Sequence, residues 1–317
     1  MRSRILVLLL SSLLGVAGLS ALEIGSEARS SSMFFPWAPT HALAGTSAWS
    51  PGSFTTWFYG GAAWVIIPMG EDFRFHLAYE TDPVLRNVAS GIFRFEKGVA
   101  SVGVGPFMGF LNNDRRLYSL GLSTSILVQW PGIAFVSARS DGGLALGLVA
   151  GAASVPQTAA ELTAGFYTAN SVVSGSVSGK SFSMNDAQGK LIEDALTRYA
   201  LIVDIFKKNI PYQLKTTLGY EQRSKYFQSS GLTDTLGSAI AGLKLTVTPV
   251  EGLSFHGEFT NAIFTFGMDH LKGRSPSTRS VLFSAAAGLT WNFEPDRLKW
   301  PAALKWPAAL TWPPAKK

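Results

Sequence analysis

The sequence predicts an all-β protein, an antiparallel transmembrane β-barrel of about 12 to 14 strands, and three observations carry that prediction. Only 15% of the 317 residues are charged while 47% are hydrophobic, whereas soluble domains are usually about a quarter charged. Past residue 21, no apolar run approaches the roughly 20 residues of a spanning helix; the nearest, Leu144–Val155, is short and broken by Gly and Ala. Finally, hydrophobicity alternates residue by residue in segments of about ten, separated by turn residues, as strands with one face on lipid and one on water require.

Residues 1–21 read as a secretory signal peptide. Arg2 and Arg4 precede the apolar run Ile5–Leu14, and small residues follow through Gly15-Val16-Ala17-Gly18-Leu19-Ser20-Ala21. Cleavage is expected after Ala21, with Ala17 as the alternative; the competing reading is an uncleaved anchor, for which the apolar core is short.

The strands follow in order. Residues 23–36 are the candidate first strand. Trp57, Tyr59, Ala63, Val65 and Ile67 share one face before the turn Pro68-Met69-Gly70, and Phe73, Phe75, Leu77 and Tyr79 continue opposite Arg74, His76 and Glu80. Further strands are predicted at 85–95, 99–110, 117–129, 133–139, 143–150 and, more weakly, 159–168, with Trp130-Pro131-Gly132 as a turn. Residues 169–197 are predicted to be a long loop, with a flexible Ser/Gly-rich start and a short helix over 186–196. Tyr199, Leu201, Val203 and Ile205 then face outward, the chain turns at Lys208-Asn209-Ile210-Pro211, and Tyr212, Leu214, Leu218 and Tyr220 return. Leu243, Leu245 and Val247 lead into the Pro249–Gly252 turn, followed by Leu253, Phe255 and Phe259. The last segment is the clearest: Val281, Phe283, Ala285, Ala287, Leu289, Trp291 and Phe293 alternate with mostly small or polar residues.

Short connections (68–72, 96–98, 130–132, 207–211, 248–252) alternate with long ones (111–116, 169–197, 224–236, 267–279), as short periplasmic turns alternate with extracellular loops in membrane barrels. If Phe293 ends the last strand on the short-turn side, an even-stranded barrel needs 23–36 as a strand, which brings the count to 14; a misread hairpin would lower it to 12 or 10. Trp57, Tyr79, Trp130, Tyr199, Tyr220 and Trp291 lie near strand ends, where an interfacial aromatic girdle is expected.

Charge and chemistry narrow the functional classes. The net +6 resides mainly in the leader and the tail, so the body carries no basic stripe of the kind that binds nucleic acid. There is no Cys, which excludes disulfides, thiolate metal sites and a lipidated cysteine. No zinc-protease, P-loop, nucleophile-elbow or EF-hand pattern is present. Gly103–Gly109 lies on an alternating strand and precedes no helix, so it is not a cofactor loop. His76 and His256 sit near Glu80 and Glu258, which as acid–base pairs would be catalytic, but the stronger reading is that all four line a wet lumen. His41 and His270 fall in predicted loops. No enzyme activity, metal or cofactor is expected.

The alternating strands, the leader and the closing Trp291-Asn292-Phe293 resemble the outer-membrane β-barrel (porin-like) proteins of double-membraned bacteria, including hydrophobic-solute channels of the OmpW and FadL types; no residue motif chooses among them. The resemblance covers about 23–293 and implies an outer-membrane location, contact with outer-membrane lipids, and recognition of Trp291 and Phe293 by the barrel-assembly machinery. The chain departs from it by continuing through 294–317 as the hexads Leu298–Ala303, Leu304–Ala309 and Leu310–Ala315. Their prolines forbid a continuous helix; the tail is either an interfacial Trp/Lys anchor or a repeat expansion without function.

The predicted lumen set is Arg74, His76, Glu80, Arg94, Asp204, Lys215, Glu221, Arg223, Lys244, His256 and Glu258, because ionisable groups at membrane depth must face water or one another. The expected function is passive diffusion of small solutes through a channel, with 169–197 as a candidate plug. A closed structural or adhesive barrel is the alternative, and a barrel hydrolase a weaker one.

Overall fold

In lipid every backbone N–H and C=O must be paired within the protein, which for strands means a sheet with no edges. The computed structural model meets that condition. It describes residues 22–33, 56–82, 86–110, 118–145, 155–185, 191–206, 210–228, 231–267 and 283–293; the leader, the hexad tail, His41 and His270 lie outside them.

Fourteen antiparallel strands form one closed barrel in sequence order. They are β1 (Leu22–Met33), β2 (Thr56–Pro68), β3 (Phe73–Asp82), β4 (Arg86–Lys97), β5 (Ala100–Phe110), β6 (Tyr118–Trp130), β7 (Ala134–Ala145), β8 (Val155–Tyr167), β9 (Ser171–Asn185), β10 (Leu191–Phe206), β11 (Tyr212–Phe227), β12 (Leu232–Val250), β13 (Leu253–Gly267) and β14 (Phe283–Phe293). The seam is the pairing of β1 with β14, which runs from Leu22 opposite Phe293 to Ser31 opposite Ser284. No helix among the described residues is long and apolar enough to cross a membrane.

Closure fixes the parity of every strand. Leu77, Phe93, Val104, Leu122, Leu162, Val177, Leu201, Leu218, Leu243, Leu245, Phe255 and Phe259 are all exposed, and they occupy the outward parity of consecutive paired strands. The outer face is thus an apolar band, and the polar parity turns inward. Phe73, Phe95, Trp130, Phe166, Tyr212 and Trp291 are exposed at the short-turn ends of their strands. Tyr199 and Tyr220 face each other midway along β10 and β11; a strand crosses the apolar layer in about 9–11 residues, which sets this pair at its far edge. Near the same edge, the Tyr79 hydroxyl donates to Asn87 Oδ1 at 3.0 Å, as a tyrosine with an apolar body and a wet tip should. The side chain of Trp57 lies outside the described set.

Tight connections collect at one rim. The turns predicted at 68–72, 130–132 and 248–252 are present, and Gly132 and Gly252 supply their left-handed residues with φ of 71° and 84°. The opposite rim receives 34–55, 111–117, 146–154 and 268–282, all outside the described residues.

Three expectations need correction. The loop predicted at 169–197 is a hairpin: Thr168 and Ser171 close a turn, with Thr168 N donating to Ser171 O at 2.8 Å and Ser171 N to Thr168 Oγ1 at 2.9 Å. β9 and the first half of β10 follow, so this segment is neither a plug nor helical over 191–196. Ser and Gly on both parities of β9 give almost no hydrophobic contrast, and the strand is held by its ladders to β8 and β10. The strands predicted at 133–139 and 143–150 merge in β7, because Ser140-Asp141-Gly142 is paired on both sides, to Leu122–Thr124 and to Thr158–Ala160. The count of 14 therefore survives one strand too many before 159 and one too few after it. The predicted loop 224–236 shrinks to 228–231, since β11 and β12 rise beyond the apolar layer, where both faces are wet and alternation fades.

Because Leu245 and Phe255 are outward while Thr246 pairs inward with His256, Leu245→Arg, deeper in the apolar layer, should cost up to roughly 2–4 kcal/mol, and Phe255→Arg, near the short-turn edge, should cost less. Thr246→Arg should be tolerated. The yield of the heat-modifiable folded form on gels reads the difference, and equal behaviour of the three variants would mean that the register is wrong.

Candidate functional site: the barrel lumen

The inward parity of fourteen strands converges on one lumen. A barrel of about 8 strands is filled by its own side chains, so a 14-strand barrel has room to spare unless large residues cross it. What lies inside is a set of ion pairs that bridge neighbouring and next-nearest strands.

On β13, β1 and β3, His256 Nε2 lies 2.8 Å from Glu27 Oε2, Arg29 is bonded to Glu27, and Arg29 Nη1 donates to Glu80 Oε2 at 3.1 Å. This chain passes over β14 at Gly288, where a Cβ would come within 2.6 Å of the His256 ring. A second gap of this kind is Gly25, over which the Trp64 indole lies while its Nε1–H donates to Glu23 Oε1 at 3.1 Å. Toward the short-turn rim, Arg74 meets Glu96 at 2.7 Å and Arg94 meets the same carboxylate at 4.0 Å. Across the barrel, Lys244 is 3.8 Å from Glu258, Arg198 is 3.9 Å from Glu221, and Gln213 donates to Asp204 at 2.8 Å. Lys215 stands directly between Asp204 and Lys244 in register.

Two features close part of the far half of the lumen. Arg223 grips Asp194 with two hydrogen bonds, of 3.0 and 2.7 Å, and both side chains are almost fully buried. Ser119 is hydrogen-bonded to Gln157, and these two polar residues are among the most buried in the protein, alongside Phe107, Phe182 and Ile240.

All eleven predicted lumen residues occupy inward positions, but their partners differ from those suggested by sequence proximity. His256 meets Glu27, while Glu258 meets Lys244; Glu80 meets Arg29, and His76 Nε2 has no hydrogen-bond partner. Neither histidine therefore forms the acid–base pair that sequence spacing suggested. Glu23, Glu27, Arg29, Glu96, Arg139, Asp141, Asp194 and Arg198 add to the ionic lining and were not in the predicted set. Glu23, Glu27 and Arg29 were readable as one parity of β1; Asp194 falls in the predicted loop 169–197 and Asp141 between the strands predicted at 133–139 and 143–150. Trp291 is exposed and outward near the end of β14, and Phe293 pairs with Leu22 at the seam; the Phe293 side chain lies outside the described set. Among the described residues, no group of His, Asp and Glu could hold a metal ion.

The inner face also has an apolar side that alternation did not reveal. Trp64, Ile66, Val88, Ile92 and Phe107 line a cavity of about 260 Å³ beside Arg29, His76, Glu80, Arg94, Arg139 and Asp141. Its wall bends sharply. Arg139 on β7 donates to Ser90 on β4 at 3.3 Å, past two intervening strands whose inward residues are small, among them Ser101, Gly103, Ser123 and Ser125.

The architecture is a closed 14-strand antiparallel β-barrel with an apolar outer band and a polar interior, the arrangement of a transmembrane β-barrel. No family model matches the sequence, and no curated protein matches it. Among solved structures, the chain is similar to a Pseudomonas aeruginosa FadL homologue (9% identity, 86% of this chain and 90% of that chain, TM-score 0.46). It is also similar to the COG4313 outer membrane channel from Pseudomonas putida F1 (9%, 88% and 97%, TM-score 0.44). A third similar structure is the translocator domain of the autotransporter NalP from Neisseria meningitidis (12%, 89% and 92%, TM-score 0.44).

The Arg223–Asp194 pair gives a direct stability test. Removing one partner leaves a buried charge uncompensated, so Asp194→Ala should lower unfolding stability in detergent by about 3–5 kcal/mol. The double change Asp194→Leu with Arg223→Met should recover most of that loss, as read by denaturant midpoints.

Proposed function

We propose that this chain is an outer-membrane channel through which small solutes diffuse passively. The observation that carries the reading is the lumen itself: mixed charges distributed over inward positions of most strands, combined with an open cavity that side chains do not fill. Ionisable side chains at membrane depth are stable only where water or a counter-charge reaches them. Most of the pairs named above are partly exposed to the interior rather than sealed. The leader and the aromatic end of β14 supply the route, with export through the inner membrane followed by recognition of Trp291 and Phe293 by the assembly machinery.

A closed structural barrel is the second reading, favoured by the buried Arg223–Asp194 and Ser119–Gln157 contacts in the far half of the lumen.

Cell fractionation should place the protein in the outer membrane, in a form whose gel migration shifts on boiling; recovery from the soluble periplasm would refute the location. Reconstituted in a planar bilayer, the protein should conduct, and Lys215→Gln with Lys244→Gln should shift ion selectivity toward cations, because two adjacent positive charges leave the lumen wall. Near-zero conductance at every voltage would overturn the channel in favour of the closed barrel.

A further inference from the structure

The cavity between β1 and β7 sets unpaired polar atoms beside an apolar wall. Three buried polar atoms on its wall have no hydrogen-bond partner: His76 Nε2, Arg94 Nε and Asp141 Oδ1. Asp141 is only 8% exposed, and a buried polar atom left unpaired is costly, so such atoms need a reason to persist.

The charges around the cavity are unequally engaged. Arg29 is held by Glu27 and Glu80, and Arg139 by Asp141 and Ser90. Arg94 is left with Glu96 at 4.0 Å, a carboxylate that Arg74 engages at 2.7 Å. Arg94 is thus the one guanidinium on the wall whose only carboxylate is shared and distant, so a single group is left to take a ligand's carboxylate, which favours a monoanion over a dianion. On the other wall, Val88, Ile92 and Phe107 are apolar and buried. The volume, about 260 Å³, lies just below the roughly 300–1,000 Å³ of small-molecule pockets and suits a solute of about one ring.

We propose that this cavity is a binding subsite for a small monoanionic organic acid that also carries a hydrogen-bond donor. The carboxylate is taken by Arg94 and His76, the donor by Asp141, and the apolar frame rests on Ile92 and Phe107. The proposal rests on the channel reading, since the solute enters through the lumen, and it names the solute class that the lumen retains.

The test uses the refolded full-length barrel in detergent, titrated calorimetrically with 4-hydroxybenzoate, benzoate and the neutral 4-hydroxybenzamide. 4-Hydroxybenzoate should bind saturably, about tenfold or more tighter than the amide and about threefold or more tighter than benzoate, as expected for one charged and one neutral hydrogen bond. Arg94→Gln should remove the preference for acid over amide. Ala78→Phe, which fills the cavity and leaves its charges in place, should abolish binding. Heat-modifiable migration verifies that each variant is folded, and either variant alone suffices if the other is not. Equal binding of acid and amide, no saturable binding by the wild type, or binding undisturbed by Ala78→Phe would overturn the proposal. Binding without bilayer conductance would leave the subsite and overturn the channel; conductance without binding would do the reverse.

Discussion

Pairing of β1 with β14 is the constraint on which everything else rests. A membrane offers the backbone no hydrogen-bonding solvent, so an open edge at either terminal strand would leave several strong donors and acceptors unpaired at once. With the seam in register from Leu22 opposite Phe293 onward, one parity is imposed on all fourteen strands. A one-residue slip at any ladder would carry Arg74, Lys244 or Glu258 to the lipid and Phe73, Leu245 or Phe255 to the lumen. The lipid's intolerance of charge and the ladder's intolerance of edges therefore select the same arrangement.

Inside that frame, glycine and serine decide which polar groups meet. Ion pairs between next-nearest strands require that the strand between them present no side chain at the crossing, as Gly288 does beneath the His256–Glu27 contact. The small inward residues of β5 and β6 do the same on a larger scale and let Arg139 reach Ser90. The lumen is consequently asymmetric. One flank is a bent, partly apolar cavity rimmed by arginines, and the other is a flatter wall of paired charges running through Asp204, Lys215, Lys244 and Glu258. Stability and function draw on different parts of this lining: Arg223 and Asp194 are buried and mutually satisfied, whereas Arg94 and His76 are not.

Strand alternation was legible wherever the two faces differ in chemistry. β2, β3, β10 to β13 and the final strand could be read with their facing because large apolar residues alternate with charged or hydroxyl ones. It failed where the faces are alike. β9 has Ser and Gly on both parities, the middle of β7 reads as a break between two strands, and the far ends of β11 and β12 stand above the lipid where no face need be apolar. In each case hydrogen bonds from both neighbouring strands, which no local pattern encodes, supplied what the residues did not.

The sequence by itself determined the class of fold, the direction in which the eleven predicted charged and polar side chains point, and the turns marked by proline and glycine, because these depend on local periodicity and backbone preference. Only the tertiary structure decided which charges become partners and where space remains. Glu27 finds His256 from the opposite end of the chain, and Arg94, Asp141 and Phe107 come to share one cavity, because closure of the ladder sets distances between strands while sequence spacing sets them only within a strand.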